Sequence, residues 1–278
     1  MKYEIGISAN CEGDSSVINT LDNIKMTGIK NIMITQRSPE FENQIIHALK
    51  LGLKIPYVHL EFIDANYLWS KGEINKKYIN AILDGIKICH RHGIKIAIMH
   101  PTAGNAVTSI IEPNEHGLES MKTILKAAEQ CGVKIAVENT DLNTSHLTYL
   151  LDNIHSPYLG FCYDCGHHYL YTPKMNWIKK YADRCLAVHL HDNVCDWTIG
   201  KDWTRDLHAI PFSGKINFEK VVKDIVASSY KGVFMLEVYR VSYGDPKFHA
   251  NLTPTEFLKE AQKYGKKLVQ MSGIYKNL

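Results

Sequence analysis

Eight short apolar runs recur along the chain, each followed by a stretch with helical spacing, and this alternation constrains the fold more than any other feature. The runs lie at 3–9, 31–35, 57–62, 95–100, 134–139, 159–164, 186–192 and 233–239. Their near-continuous hydrophobicity marks strands buried on both faces, which is the habit of parallel sheets. The segments between them, such as 74–92, 116–131, 218–228 and 253–272, repeat apolar residues every three to four positions, as amphipathic helices do. Gly28, Gly52, Gly93 and Gly132 stand where helices should stop, and Thr253-Pro254 supplies an N-cap followed by proline at the first helical position. A length of 278 residues is close to the roughly 250 of an eight-fold barrel. The pattern predicts an α/β chain, 1–278, folded as a single (β/α)8 TIM-barrel domain. The competing open, doubly wound sheet usually needs fewer strands. It also carries a glycine-rich phosphate loop that Ala9-Asn10-Cys11-Glu12-Gly13 does not provide.

Composition narrows the partners. The chain is 45% hydrophobic and 22% charged with a net charge of +3, so it lacks the basic stripe of a dedicated nucleic-acid binder. It would tolerate an anionic substrate without demanding one. MKYEIGIS has no apolar core or cleavage site of a signal peptide, and no run approaches membrane-spanning length. A cytoplasmic protein is expected, with no membrane partner and with homo-oligomerisation left open. The seven cysteines are scattered and odd in number, which suits buried free thiols in a reducing compartment. Cys162 and Cys165 form a CxxC, but within a strand they would face opposite sides and share no metal.

The chemistry of a barrel sits where its strands end. Those ends carry His59, His100, Glu138, Asp164, His167, His191 and Glu237. If Glu138 points inward then Ala136 does too, and Glu237 takes Met235 and Val233 with it. Carboxylates among such apolar neighbours are expensive to bury unless paired or bound to a metal. No strand-end lysine or arginine supplies the opposing charge, so a divalent ion does. Oxygen and imidazole donors suit Mn, Zn, Co, Mg or Fe and do not choose among them. Each residue also has a plainer reading: Glu138 and Glu237 could pair with Arg205 or Arg240, and Asp164 could cap the turn that follows it. His59 and His100 suit a core imidazole as well as a ligand, and His189, taken as one layer deeper than His191, reads as supporting.

Val137-Glu138-Asn139-Thr140, Tyr163-Asp164-Cys165-Gly166-His167, His189-Leu190-His191-Asp192-Asn193 and Leu236-Glu237-Val238 resemble the xylose isomerase-like barrel superfamily. Its members include sugar and sugar-phosphate isomerases and epimerases and the endonuclease IV type of abasic-site nuclease. The resemblance implies one divalent ion on Glu138, Asp164, His191 and Glu237, with His167 touching substrate. Arg205-Asp206-Leu207-His208, followed by Pro211 to Ile216, is similar to a second signature of the superfamily, D-x-H then G-x-G-x-I. By that likeness His59, His100, His167, Asp206 and His208 could hold additional metal, as in endonuclease IV. Phe212 stands where the first glycine is expected, so the loop should be shaped differently. Trp197 occupies the position of an arginine usual in ketose epimerases.

The expected activity is metal-dependent isomerisation or epimerisation of a sugar or sugar derivative, phosphorylated or not, with Glu138 and Glu237 moving the proton. The long loop after the seventh strand, 193–217, should contact the sugar through Trp197, Trp203 and Arg205. Tyr67 and Trp69 are further candidates for stacking on a sugar ring. The alternative is an endonuclease IV-like phosphodiester hydrolase acting on abasic DNA, for which the loops offer few cations beyond Arg37 and Lys71.

Overall fold

A computed structural model of the chain describes residues 3–13, 16–103, 109–140, 144–194, 205–241, 245 and 247–275. The strands are β1 (Glu4–Ser8), β2 (Asn31–Met33), β3 (Val58–His59), β4 (Ile96–Met99), β5 (Lys134–Glu138), β6 (Leu159–Asp164), β7 (Cys185–Leu190) and β8 (Val233–Leu236). Between and after them run α1 (Val17–Thr27), α2 (Phe41–Lys50), α3 (Glu73–Arg91), α4 (Glu115–Cys131), α5 (Thr144–Asn153), α6 (Cys165–Tyr171), α7 (Trp177–Lys180), α8 (Phe218–Ala227) and α9 (Pro254–Tyr275). All eight strands are parallel and follow the order β2-β1-β8-β7-β6-β5-β4-β3. The β2–β3 seam is drawn together just beyond the strands, by His59 N–H to Ile34 O at 3.0 Å and Gln36 N–H to His59 O at 2.8 Å. The result is the (β/α)8 barrel that the alternation predicts.

Helix boundaries follow their local chemistry. Asn114 caps α4 by accepting from Gly117 N–H at 3.1 Å. Thr253 and Glu256 open α9 as a reciprocal capping box, Thr253 N–H reaching Glu256 Oε2 at 2.8 Å and Glu256 N–H reaching Thr253 Oγ1 at 3.3 Å. Strands β3 and β8 are shorter than their apolar runs, although beyond β8 the backbone is still held, Tyr239 N–H to His208 O at 2.8 Å and Arg240 N–H to Cys11 O at 2.9 Å.

Two cores result. The larger one fills the space between sheet and helices. A smaller one lies inside the barrel and comprises Met33, Tyr57, Ile98, Ala136, Cys162, Ala187 and Met235. Side chains alternate along a strand, so the residue two positions further on from an interior residue also points inward, one layer nearer the mouth. From Tyr57, Ile98, Ala136, Cys162, Ala187 and Met235 that step reaches His59, His100, Glu138, Asp164, His189 and Glu237. The fold thus stacks one polar ring on an apolar floor.

Trp69 does not serve the mouth. It is 2% exposed, donates Nε1–H to Pro101 O at 2.7 Å, and packs edge-on to His146. Its place is in the wall between α3 and α4. Among the described residues no helix is long and apolar enough to cross a membrane.

Candidate metal centre

Glu138, Asp164, His189 and Glu237 offer ligand atoms that all lie within 4.8 Å of one another. His189 Nδ1 is 3.1 Å from Glu138 Oε1, 3.0 Å from Glu237 Oε2 and 3.8 Å from Asp164 Oδ2. His191, expected as the fourth member, points inward like His189 but belongs one layer nearer the mouth. Its Nε2 reaches the Asp164 carboxylate at 3.0 and 3.1 Å, and its ligand atoms group with His167, Asp206 and His208. The polar ring therefore contains His189, and Asp164 lies between it and His191. Asp164 also makes the cap foreseen for it, Oδ1 accepting from His167 N–H at 2.7 Å at the start of α6.

Two further groups flank the quartet. His59, His100 and Glu138 form one, with His59 Nε2 at 3.3 Å and His100 Nε2 at 3.5 Å from Glu138 Oε2. His167, His191, Asp206 and His208 form the other, with His167 Nε2 at 2.9 Å and His208 Nε2 at 3.3 Å from Asp206 Oδ2. The imidazoles of His191 and His208 stack at 3.9 Å.

The histidines are held in one orientation by the backbone. Nδ1 of His59, His167 and His208 lies at 2.8, 3.0 and 2.8 Å from the carbonyl oxygens of Leu60, Asn139 and Glu237. A carbonyl only accepts, so Nδ1 carries the proton and Nε2 is the nitrogen offered to the mouth. In each case that Nε2 faces a carboxylate oxygen. A lone pair against a carboxylate is repulsive unless a proton or a cation lies between them. The donor set therefore fits divalent ions, with backbone-fixed imidazoles as the usual supporting arrangement.

Without a cation, protons take that role at His167 and His208. Burial opposes ionisation of Glu138, yet His189, His100 and His167 hold its carboxyl well below the usual carboxylate range. Burial likewise opposes ionisation of Asp206 and Glu237, and their histidine neighbours lower both. Burial pushes His208 down, but Asp206 beside it outweighs that and raises it to about 9. His167 and His189 are raised well above the ordinary imidazole range against the same opposing burial, by Asp164 and Asp206 for the first and chiefly by Cys162, Glu237 and Glu138 for the second. His100 goes the other way, to about 4, because burial outweighs Glu138.

The elements that aim these groups include residues whose role the sequence did not disclose. Asn139 ties β5 to β6, donating Nδ2–H to Asp164 O at 2.8 Å and accepting Asp164 N–H at 2.9 Å. Asp192 anchors the loop after β7: Oδ1 accepts from Asn193 and Ile216 N–H at 2.8 and 3.0 Å, and Oδ2 from Gly214 N–H at 2.8 Å. Asn193 accepts from Leu207 N–H at 2.7 Å and donates to Asp206 Oδ1 at 3.2 Å. Gly166 and Gly214 are places of close approach, where a Cβ would overlap the His191 ring and the Asn193 carbonyl respectively. Arg205 is exposed at the start of the described part of the loop, while Trp197 and Trp203 lie outside the described residues. Arg240 is bound to Glu12, with Nε and Nη2 each 2.6 Å from the carboxylate, and does not neutralise the glutamates.

Known proteins resemble the chain in sequence and in shape. Fructoselysine 3-epimerase of Escherichia coli O157:H7 is 24% identical over 140 residues, covering 48% of this chain and 48% of that protein. The chain spans about half the length, or less, of the curated relatives it matches. A D-tagatose 3-epimerase-like protein superposes with a TM-score of 0.74 at 20% identity, covering 100% of this chain and 99% of the other. The IOLI protein, in a structure with a zinc atom, superposes at 0.73 with 16% identity and 99% of both chains covered. At such identity these two likenesses speak for the fold. The family profile of the xylose isomerase-like TIM barrel matches residues 32–274, and the chain belongs to that family.

Proposed function

We propose that the chain is a divalent-metal-dependent epimerase or isomerase of a sugar or sugar derivative. The observation that carries this reading is the buried quartet of Glu138, Asp164, His189 and Glu237, in which one imidazole stands between two glutamates on different strands. A divalent ion held there would polarise adjacent carbonyl and hydroxyl oxygens of the sugar and stabilise the charge left when a carbon-bound proton departs. One of Glu138 and Glu237 would remove the carbon-bound proton as a carboxylate, and the other, having first taken a proton from solvent, would deliver it to the carbon. His167 and the loop bearing Arg205, Trp197 and Trp203 would orient the sugar. The sequence of fructoselysine 3-epimerase and the fold of the D-tagatose 3-epimerase-like protein support the substrate class.

The grouping of ligand atoms supports His189 as the fourth ligand of the quartet and His191 as a member of the neighbouring group. It also favours a second reading, an endonuclease IV-like hydrolase, because His59 and His100 on one side and His167, Asp206 and His208 on the other could hold further ions. Against it, Arg240 is committed to Glu12, and Arg184 donates to the carbonyls of Leu151, Ile154 and Leu159. Neither is offered to a phosphate backbone.

The test is incubation of the metal-loaded protein in D2O with ketoses, aldoses and their phosphates, following deuterium on carbon and net conversion together. A parallel sample holds a duplex with an abasic site at low salt. Exchange or conversion of at least one sugar is expected. Abasic-site cleavage lost in Glu138→Gln, with no sugar turned over, would overturn the epimerase reading in favour of the hydrolase.

A further inference from the structure

His189 presents Nδ1 to the quartet, at 3.1 Å from Glu138 Oε1 and 3.0 Å from Glu237 Oε2. Its other ring nitrogen, Nε2, is buried without a hydrogen-bond partner, and the residue is 0% exposed. The groups that could serve it lie in the interior layer below. That layer is Met33, Tyr57, Ile98, Ala136, Cys162, Ala187 and Met235, so its polar side-chain atoms are the Tyr57 hydroxyl and the Cys162 thiol. The Tyr57 hydroxyl is turned to Val188 O, to which it donates at 2.9 Å, and makes no hydrogen bond to His189. The thiol is close: Cys162 Sγ, a His189 nitrogen and a Glu138 oxygen all lie within 4.8 Å of one another.

We propose that Cys162 is the positioning residue of His189, its sulfur serving as the acceptor for Nε2–H. A histidine that ligates through one nitrogen needs the other to be protonated and held, since this fixes both the tautomer and the ring. With the proton on Nε2, the Nδ1 lone pair points into the quartet. Sulfur suits the place because a thiol packs as a small apolar group yet still accepts weakly. It can sit against Ala136, Ala187 and Met235 without the cost of a buried, half-satisfied hydroxyl. The CxxC of the sequence is thereby resolved. Cys162 faces the barrel interior, whereas Cys165 packs in the outer core and directs its Sγ to His191 O at 3.3 Å.

The inference rests on reading the quartet as a cation site, and the experiment separates the two. Zn2+ affinity of the full chain is measured by chelator competition for wild type, Cys162→Val, Cys162→Ser and His189→Ala. Melting of each metal-free protein is recorded alongside. Cys162→Val is expected to bind Zn2+ about 10- to 100-fold more weakly. Cys162→Ser, which keeps an acceptor, should recover most of that loss, and metal-free melting should not track the affinities. If His189→Ala weakens binding but Cys162→Val does not, the role of Cys162 is overturned. If His189→Ala has no effect, the quartet reading itself fails. Should Cys162→Val not fold, the imidazole 15N spectrum of Zn2+-loaded wild type decides: protonated Nε2 on His189 is expected, and protonated Nδ1 overturns the proposal. Loading with Co2+ gives a spectroscopic check. A sulfur-to-cobalt charge-transfer band that vanishes in Cys162→Ser would make Cys162 a ligand and overturn its positioning role.

Discussion

His189 Nδ1 lies 3.0 Å from Glu237 Oε2 across the β7–β8 pair, and the same nitrogen meets Glu138 on the far side of the ring. The two glutamates are nevertheless unequal. Glu138 lies within 3.5 Å of His59, His100, His167 and His189, whereas Glu237 faces His189 and, at 3.8 Å, His208.

Glu138→Gln and Glu237→Gln should each abolish sugar turnover, since both remove a proton acceptor at constant shape. Their stabilities should differ. Removing one partner of a buried ion pair costs about 3–5 kcal/mol, and Glu138 meets its two proton-holding imidazoles, His167 and His189, at 3.3 and 3.1 Å, whereas the second such partner of Glu237, His208, is 3.8 Å away. Denaturant unfolding of the metal-free proteins should show Glu138→Gln as clearly the weaker variant. Equal losses would mean that Glu138 is no more central to the charge balance than Glu237.

Asp206→Ala combined with His208→Ala tests the neighbouring group. Asp206 Oδ2 meets Nε2 of both His167 and His208, so the double variant removes two of the group's ligand atoms and leaves the quartet intact. Metal analysis of the loaded protein should show fewer ions per chain, with the quartet ion retained. An unchanged count would place these residues on a substrate loop and weaken the hydrolase reading.

The sequence discloses the barrel because burial on both faces and the period of two leave a strong trace. Ala136 and Glu138 share a face, as do Met235 and Glu237, and the structure puts each pair on the barrel's inside. Layer is harder to read than face. His189 and His191 have the same parity, and the β7–β8 register alone would put His189 opposite Met235; only the side-chain distances, 3.1 Å to Glu138 and 3.0 Å to Glu237, show that His189 is the one that meets the glutamates. The tautomers of His167 and His208 depend on the carbonyls of Asn139 and Glu237, remote in sequence, and leave no local signature. Trp69 looks like a sugar platform by residue type, but Gly117, whose missing Cβ makes room for the indole, is 48 positions away. Asp192 and Asn193 work through loop amides 14 to 24 positions on, a range at which spacing carries no information.

The metal-free protein should lose stability in alkali through His208. Its folded pKa of about 9 is above the ordinary value of 6.5, so its contribution is complete below pH 6.5 and disappears as pH rises through about 9. Unfolding in denaturant with chelator present, from pH 6 to 10, should show this decline, and His208→Asn should flatten it. A decline of equal size in the variant would assign the effect to other groups.

Phe212 supplies the last test, because it stands in the left-handed region, at φ +71°, where the related signature has glycine. A non-glycine residue there carries strain of about 1–3 kcal/mol. The ring offsets it: Phe218 and Tyr264 lie at 5.0 and 5.6 Å between centroids, and Lys267 Nζ sits 3.8 Å above its face. Phe212→Ala loses the packing and keeps the strain, whereas Phe212→Gly loses both. The glycine variant should therefore be the more stable of the two by about 1 kcal/mol, with both below wild type, as read from denaturant midpoints. Because Gly214 to Ile216 are tied back to Asp192 and Asn193, the alanine variant should also loosen the loop that presents Asp206 and His208. Its metal content should fall at limiting metal while the quartet ion is kept. If alanine and glycine behave alike, the backbone at 212 relaxes freely and the ring alone holds the loop.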